Sequence, residues 1–397
     1  MRIIKLPTTS GSAYLEFCFL NGSQTEPEGF KGVSHLIEHL HFRDASGDEL
    51  KEKKRDLESL GVILNAYTSE QRVGFHAGFL PEHFKKVCEV LKRIVYQPSF
   101  LDEDIEIEKS VVVREIIDYE DQPSTQVNLK FKNHIYDKNY CSVMGLKEDV
   151  LSCNSDKIKE LYKNIFGLHN LVVILSGPEE FLSSVENEEF LPESTTLRKY
   201  PKKLIAGIRT YQKPSLKEED SGLGSVYYRS GFIFPFAYHP DQREAYKIRT
   251  MLYLASEMLG GSQVSPLYEE VREKRGYAYT MQSGYMMNTR DDLFIIAGQL
   301  NPESYKSAIV VIENVIRTFY EDYDLFEFAK QKLINGSKWA EVSPELRASD
   351  KLIELLSDYK IPSEKFLNEE ITYDQFRFYI NKLGCFDPSK FFTFILK

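Results

Sequence analysis

The sequence predicts an α+β protein built as two related halves. Three observations carry this. The chain has 397 residues, too many for one comfortable core and suited to about two domains of roughly 200 residues each. Strand-like and helix-like segments alternate up to about residue 190. After a stretch in which that pattern dissolves, a similar order of strand, helix, Gly-rich turn, helix and strand returns.

In the first half, Tyr14 to Leu20 and Val73 to Phe79 read as strands, as does Asn170 to Ser176 before a Gly-Pro turn. Longer helical patterns run from Pro81 to Tyr96 and from Asp102 to Tyr119. Between residues 191 and 224 Lys, Pro, Ser, Thr and Glu dominate, as in Tyr211-Gln-Lys-Pro-Ser-Leu-Lys-Glu-Glu-Asp220, and an extended linker is expected. Ser225 to Phe234 then reads as a strand and Asp241 to Leu259 as a helix. Gly260-Gly261-Ser262 makes a turn, and another helix ends at Arg275-Gly276. The expected division is an N-terminal domain over 1–190, a linker over 191–224 and a C-terminal domain over 225–397.

Composition narrows the function. Hydrophobic residues at 42% and charged residues at 28% are ordinary for a soluble globular chain. The net charge of -10 argues against nucleic-acid binding, which needs an excess of Lys and Arg, and weakly against an anionic membrane surface. The five cysteines are scattered, with no Cys-x-x-Cys pair, so neither a disulfide framework nor a thiolate zinc site is expected. No apolar run reaches the roughly 18 residues of a membrane span. A cytoplasmic protein is the expectation.

The chemistry concentrates in His35-Leu36-Ile37-Glu38-His39. With His35 at zero on a helix of about 100° per residue, His39 falls near 40° and Glu38 near about −60°, whereas Val33, Leu36, Ile37 and Leu40 lie roughly opposite. One face packs and the other carries two imidazoles and a carboxylate. Imidazoles at i and i+4 can direct nitrogens at one ion, which suits tetrahedral zinc. A glutamate beside the second can serve as general base. With eight histidines in the chain, a chance meeting in this strict inverted zincin order is the weaker reading. His41 lies beyond the packing face and is left out.

Catalytic zinc needs a third protein ligand. Glu108 and Glu115, seven apart on the expected Asp102–Tyr119 helix, lie within about 20° of each other, sharing a face with Ile105, Val111, Val112 and Tyr119. A carboxylate among such neighbours is costly unless a positive charge pairs with it. A metal would supply that charge. Arg114 points about 100° away from Glu115. A helix whose glutamates simply reach solvent is about equally compatible, and spacing does not choose between Glu108 and Glu115.

These residues resemble the pitrilysin/insulinase family of zinc peptidases, and within it the short branch that includes the mitochondrial processing peptidase. The resemblance begins near Asn21-Gly22-Ser23 and continues through Gly32-Val33-Ser34-His35-Leu36-Ile37-Glu38-His39-Leu40 and Leu64-Asn65-Ala66-Tyr67-Thr68-Ser69. It returns at Glu106-Ile-Glu108-Lys-Ser-Val-Val-Val-Arg114-Glu115 and at Val271-Arg272-Glu273-Lys274-Arg275-Gly276-Tyr277-Ala278-Tyr279. The blocks stand in family order and span both halves.

What the resemblance implies is specific. The fold would be similar to that of the mitochondrial processing peptidase: two α/β sandwich halves, each a mainly antiparallel sheet covered by helices. One zinc ion per chain would be bound by His35, His39 and Glu115, with Glu38 as general base and Glu108 as a helper glutamate. Asn65 and Ala66 would lie on an edge strand that aligns substrate through main-chain hydrogen bonds. Arg272 and Tyr279 would match a paired Arg and Tyr that touch substrate, where a guanidinium and a phenol are suitable donors to a carbonyl or oxyanion. The expected activity is zinc-dependent endopeptidase hydrolysis of short or unfolded peptides in a closed chamber, with a homodimer or a heterodimer with a related subunit closing it. A non-catalytic or partner-dependent subunit is the alternative. Departures lie at His41-Phe42-Arg43-Asp44, at the Lys- and Glu-rich segment Glu49 to Arg55, and at the shortened Gly260-Gly261-Ser262 turn.

Overall fold

The computed structural model describes residues 1–43, 49–136, 142–192, 211–235, 241–287, 291–357 and 359–397. Most of the expected linker, together with Asp44 of the departure noted above, lies outside the described residues. The described residues carry two five-stranded sheets.

The first sheet contains β1 (Arg2–Thr8), β2 (Ala13–Phe19), β3 (Ile63–Thr68), β4 (Val73–Phe79) and β5 (Leu171–Pro178) in the order β1-β5-β2-β4-β3. β1 and β5 run parallel, and every other pairing is antiparallel. The second sheet contains β6 (Leu216–Glu219), β7 (Val226–Phe234), β8 (Ala278–Met286), β9 (Asp292–Leu300) and β10 (Phe392–Leu396) in the order β6-β10-β7-β9-β8. Again the outermost pair, β6 and β10, is parallel and the rest antiparallel. Taken in turn from the edge, the two sheets have the same topology. The two α+β halves read from the sequence are therefore present, as mainly antiparallel sheets packed with helices.

Two strands differ from the sequence expectation. β1 was not foreseen. β6 falls inside the stretch expected as linker, where Leu216-Lys-Glu-Glu219 pairs with the C-terminal strand. A polar tetrapeptide gives little periodic signal, and its strand state comes from hydrogen bonds to residues far along the chain. The expected helix ending at Arg275 is a π-helical stretch over Tyr268–Glu273.

The chain forms two compact units, and neither is one continuous stretch. The first comprises Met1–Tyr119, Cys141–Gly207 and Trp339–Leu352; the second comprises Glu120–Tyr140, Ile208–Lys338 and Ile353–Lys397. The helix Pro123–Ile135 thus belongs with the second sheet, although it falls within 1–190. Its Val127, Phe131 and Ile135 pack with Phe392, Phe394 and Leu396 of β10.

In the first unit, β2 is buried along its whole length. Leu15, Phe17 and Phe19 enter a core shared with Val87, Leu91 and Ile94 of the helix Phe84–Tyr96 and with Leu36, Ile37 and Leu40 of the helix Val33–His41. Those last three side chains are the packing face read from the helical period. Phe75 stands edge-on to Phe19 at 6.4 Å between centroids. In the second unit the helix Gln242–Gly260 begins at Asp241, whose carboxylate accepts from the Arg243 and Glu244 amides at 2.8 and 3.1 Å. Its Met251, Leu252 and Ala255 share a core with Phe294 and Ile296 of β9.

One glycine has a specific spatial reason. A Cβ on Gly22 would lie 2.2 Å from the Ser69 carbonyl oxygen and 2.7 Å from the Arg72 amide nitrogen, so the β3–β4 turn seats directly on its backbone. Gly22→Ala should therefore destabilise the first unit by about 1–3 kcal/mol, the usual cost of overpacking. Urea unfolding followed by far-UV circular dichroism tests this; an unchanged midpoint would show that the turn does not bear on Gly22.

Candidate metal centre

The helix Val33–His41 starts at Gly32, which adopts φ 96°. Its first amides are taken by a carboxylate from an earlier loop: Glu26 Oε2 accepts from Gly32 N at 2.9 Å and Oε1 from Ser34 N at 2.6 Å. Glu26 is buried at 5% exposure. Burial pushes its pKa up to about 7 against the opposing pull of those amides. The helix start is thereby tied down, and its apolar face sits in the core.

The polar face is as the period predicts. His35 Nε2 and His39 Nε2 are 3.3 Å apart, and each lies 3.6 Å from Glu115 Oε2. Among the described residues this trio is the one cluster of metal-ligating groups found, with its three donor atoms within 4.8 Å of one another. A tetrahedral zinc with bonds of about 2.0–2.1 Å sets its ligands about 3.3–3.4 Å apart. The donor set fits zinc in identity and in spacing.

The tautomer fits as well. His39 Nδ1 lies 2.9 Å from Glu108 Oε2, where an ionised carboxylate accepts the Nδ1 proton and leaves a lone pair on Nε2. The other Glu108 oxygen accepts from Arg43 Nε at 2.6 Å. The hydrogen bond from His39 holds the Glu108 pKa below the usual range, against desolvation and with help from Arg43. Burial pulls the His39 pKa down, but the Glu108 hydrogen bond and the charges of Glu115, Glu108 and Glu38 outweigh it and raise it. His35 is pushed down to about 4, first by burial and then by His39, so its imidazole is neutral at pH 7 and able to ligate.

Glu38 stands on the same face, buried at 9% exposure. Burial raises its pKa, with Glu115 adding to the rise and Thr68 and His39 opposing it. Its Oε2 accepts from Thr68 Oγ1 at 2.5 Å. On the neighbouring helix Asp102–Glu120, Glu108 is buried while the Glu115 side chain is 43% exposed. The apolar neighbours on the face shared by those glutamates are not uniformly buried, contrary to expectation. Ile105 and Val112 are buried, but Val111 and Tyr119 are exposed, at 40% and 38%. Arg114 pairs with Asp118 at 3.0 Å and takes no part. His41, set aside from the sequence, is fully buried, with Nδ1 2.7 Å from the Ile94 carbonyl and its ring against Phe75.

The structure places Asn65 and Ala66 on β3, the edge strand of the first sheet. Asn65 Oδ1 accepts from the Ala66 amide at 2.8 Å. In the second unit, Arg272 and Tyr279 are brought together. The Arg272 guanidinium lies 5.7 Å from the Tyr279 ring centroid and 4.7 Å from that of Tyr268. Tyr279 is 68% exposed on β8, the edge strand of the second sheet.

Sequence reasoning missed three contacts: Thr68 on Glu38, Arg43 on Glu108 and Tyr268 on Arg272. Thr68 sat in the quoted Asn-Ala-Tyr-Thr block, and Tyr268 is four residues before Arg272, which is a neighbouring position on a helix. Arg43 sat in the quoted His41-Phe42-Arg43-Asp44 departure, four residues after His39.

Like topology in two halves, one of them bearing an inverted His-x-x-Glu-His helix, defines a zinc-protease-like chain. Residues 3–142 match the model of the insulinase domain, peptidase family M16, and residues 152–334 match the model described as the peptidase M16 inactive domain. The chain belongs to this insulinase family. An uncharacterized zinc protease of Bacillus subtilis strain 168 is 24% identical over 315 residues, covering 76% of this chain and 71% of the relative. A protease from Helicobacter pylori superposes with a TM-score of 0.82 at 18% identity, over 100% of this chain and 96% of that one. A peptidase M16 inactive domain from Pseudomonas fluorescens superposes with a TM-score of 0.75 at 17% identity, over 99% and 94%. No helix among the described residues is long and apolar enough to cross a membrane.

The Glu108–His39 contact predicts a metal phenotype. Glu108→Gln should weaken zinc binding about 10- to 100-fold, the usual cost of losing a carboxylate that orients a ligating histidine. Competition titration against a chelator measures it; an unchanged Kd would remove Glu108 from the centre.

Proposed function

We propose that this chain is a zinc-dependent endopeptidase acting on short or unfolded peptides. The observation that carries the reading is the convergence of two imidazole nitrogens and a carboxylate oxygen at zinc-ligand spacing, with another carboxylate, the buried Glu38, one residue from a ligand. His35, His39 and Glu115 hold one zinc ion. Bound there, zinc would polarise the scissile carbonyl and acidify a water molecule.

The chain's own residues do the rest. Glu38 takes the water proton at Oε1, the oxygen that Thr68 does not occupy, and delivers it to the leaving amine. Glu108 keeps the His39 proton on Nδ1. Asn65 and Ala66 offer the edge of β3 to an extended peptide. Arg272 and Tyr279 donate hydrogen bonds to a substrate carbonyl or oxyanion; the two tyrosine rings around Arg272 support this by limiting its rotamers. The proposal gives the zinc chemistry to the first unit and the Arg272/Tyr279 substrate contact to the second, in a cytoplasmic setting, with a homodimer or a heterodimer with a related subunit enclosing the peptide.

A second reading has its own support. The match of residues 152–334 to the model described as an inactive domain favours a subunit that cleaves only with a related partner. The Glu38→Gln variant should keep one zinc per chain and lose cleavage of a quenched peptide, while the native chain loses cleavage on chelation and regains it with zinc. Turnover by zinc-loaded Glu38→Gln protein would sink Glu38 as the base. Activity that emerges only on adding a related subunit would select the second reading.

His39→Ala should lower bound zinc well below one equivalent by atomic absorption. A full equivalent in that variant would count against the ligand set.

A further inference from the structure

Thr68 stands out because its hydroxyl is the sole described side-chain donor to Glu38, and because everything around it is braced. Its Oγ1 donates to Glu38 Oε2 at 2.5 Å. Both flanking residues are pinned. Tyr67 donates its phenol to Glu16 Oε1 at 2.6 Å, and the Arg72 guanidinium lies 5.4 Å from the Tyr67 ring centroid. Glu16 is buried at 2% exposure and also accepts from the Tyr14 phenol at 3.1 Å.

On the other side, Ser69 closes the turn into β4. Its amide donates to the Arg72 carbonyl at 2.8 Å, and its Oγ accepts from the Arg72 amide at 3.1 Å. The turn is docked on the loop after β2: Ser23 N donates to the Ser69 carbonyl at 3.1 Å and Gln24 N to the Glu70 carbonyl at 2.9 Å. Gly22 permits that approach. The backbone bearing Thr68 is therefore held by contacts to a strand, a turn and a loop.

A carboxylate carried on two methylenes has rotameric freedom that a general base must lose before it can accept a proton from a fixed direction. Burial alone excludes solvent but does not choose which oxygen faces the reaction. A hydroxyl on a rigid strand end does choose, because it engages Oε2 and leaves Oε1.

We propose that Thr68 is the positioning residue of the Glu38 carboxylate, and that it couples the orientation of this base to the edge strand on which Asn65 and Ala66 sit, three and two residues earlier. The inference rests on the reading of Glu38 as general base. It deepens that reading, since a peptide pairing with β3 would lie along the same rigid strand that aims the base. The alternative is a strand threonine whose hydroxyl merely takes the nearest acceptor.

Thr68→Val separates the two. Valine keeps the shape and β-branching of threonine and removes only the hydroxyl. With a quenched peptide and the chain in its active assembly, kcat should fall about 10- to 100-fold, the effect of a misaligned catalytic group. KM should stay within about twofold, and bound zinc should stay at one equivalent. Thr68→Ser, which restores the donor, should recover most of kcat. Crystal structures of the native and Thr68→Val proteins give a readout independent of turnover: one Glu38 rotamer in the former, a displaced or split carboxylate in the latter. Full kcat in Thr68→Val, or a Glu38 carboxylate unmoved in its crystal structure, would overturn the proposal. Turnover by zinc-loaded Glu38→Gln would instead fail the underlying assignment of the base, and the crystallographic comparison would still decide whether Thr68 positions Glu38.

Discussion

Two imidazole nitrogens 3.3 Å apart with a carboxylate oxygen 3.6 Å from each form an arrangement that the surrounding structure has to hold. With the His39 proton on Nδ1, its Nε2 lone pair and the Glu115 oxygen face one another and repel unless a proton or a metal cation sits among them. The first unit supplies the necessary rigidity from several directions. Leu36, Ile37 and Leu40 lock the ligand helix into the core, Glu26 takes its first amides, and Glu108 grips His39 from behind. Each tie satisfies a polar group or buries apolar surface, so the costs of assembling the donors are spread through the fold.

Glu108 and Glu115 show how one helix assigns two carboxylates different roles. Both lie on the helix Asp102–Glu120, two turns apart. Glu108 is sunk between His39 and Arg43 and is held ionised by them. Glu115, nearer the open side, directs its Oε2 at the two Nε2 atoms. The ring nitrogen each one meets, Nδ1 of His39 for Glu108 and the two Nε2 atoms for Glu115, separates the ligand candidate from its supporter.

Among the described residues, the second unit repeats the strand order of the first without a metal-ligating helix. Its exposed edge strand β8 carries Tyr279, and a π-helical stretch carries Arg272. π-helical turns are rare and are frequently found at functional positions. Here the turn is accompanied by two tyrosine rings against one guanidinium. The exchange of segments between units, with Pro123–Ile135 in the second and Trp339–Leu352 in the first, makes each unit's packing dependent on chain from the other's part of the sequence.

Much was legible in the sequence by itself. The helical period placed His35, Glu38 and His39 on one face and Leu36, Ile37 and Leu40 on the other, because a helix of that composition has one way to bury its apolar side. An apolar run located β2 and apolar alternation located β4, and the repeat of element order announced two like halves. Tertiary structure alone decided what depends on residues far apart in the chain: the pairing of β6 with β10, the exposure of Val111 and Tyr119, and the burial of His41. It also showed that Glu108 meets His39 at Nδ1 while Glu115 meets both Nε2 atoms, and that Thr68, thirty residues from Glu38, donates to it. Local periodicity encodes which face a side chain takes, but only the folded chain sets what that face meets.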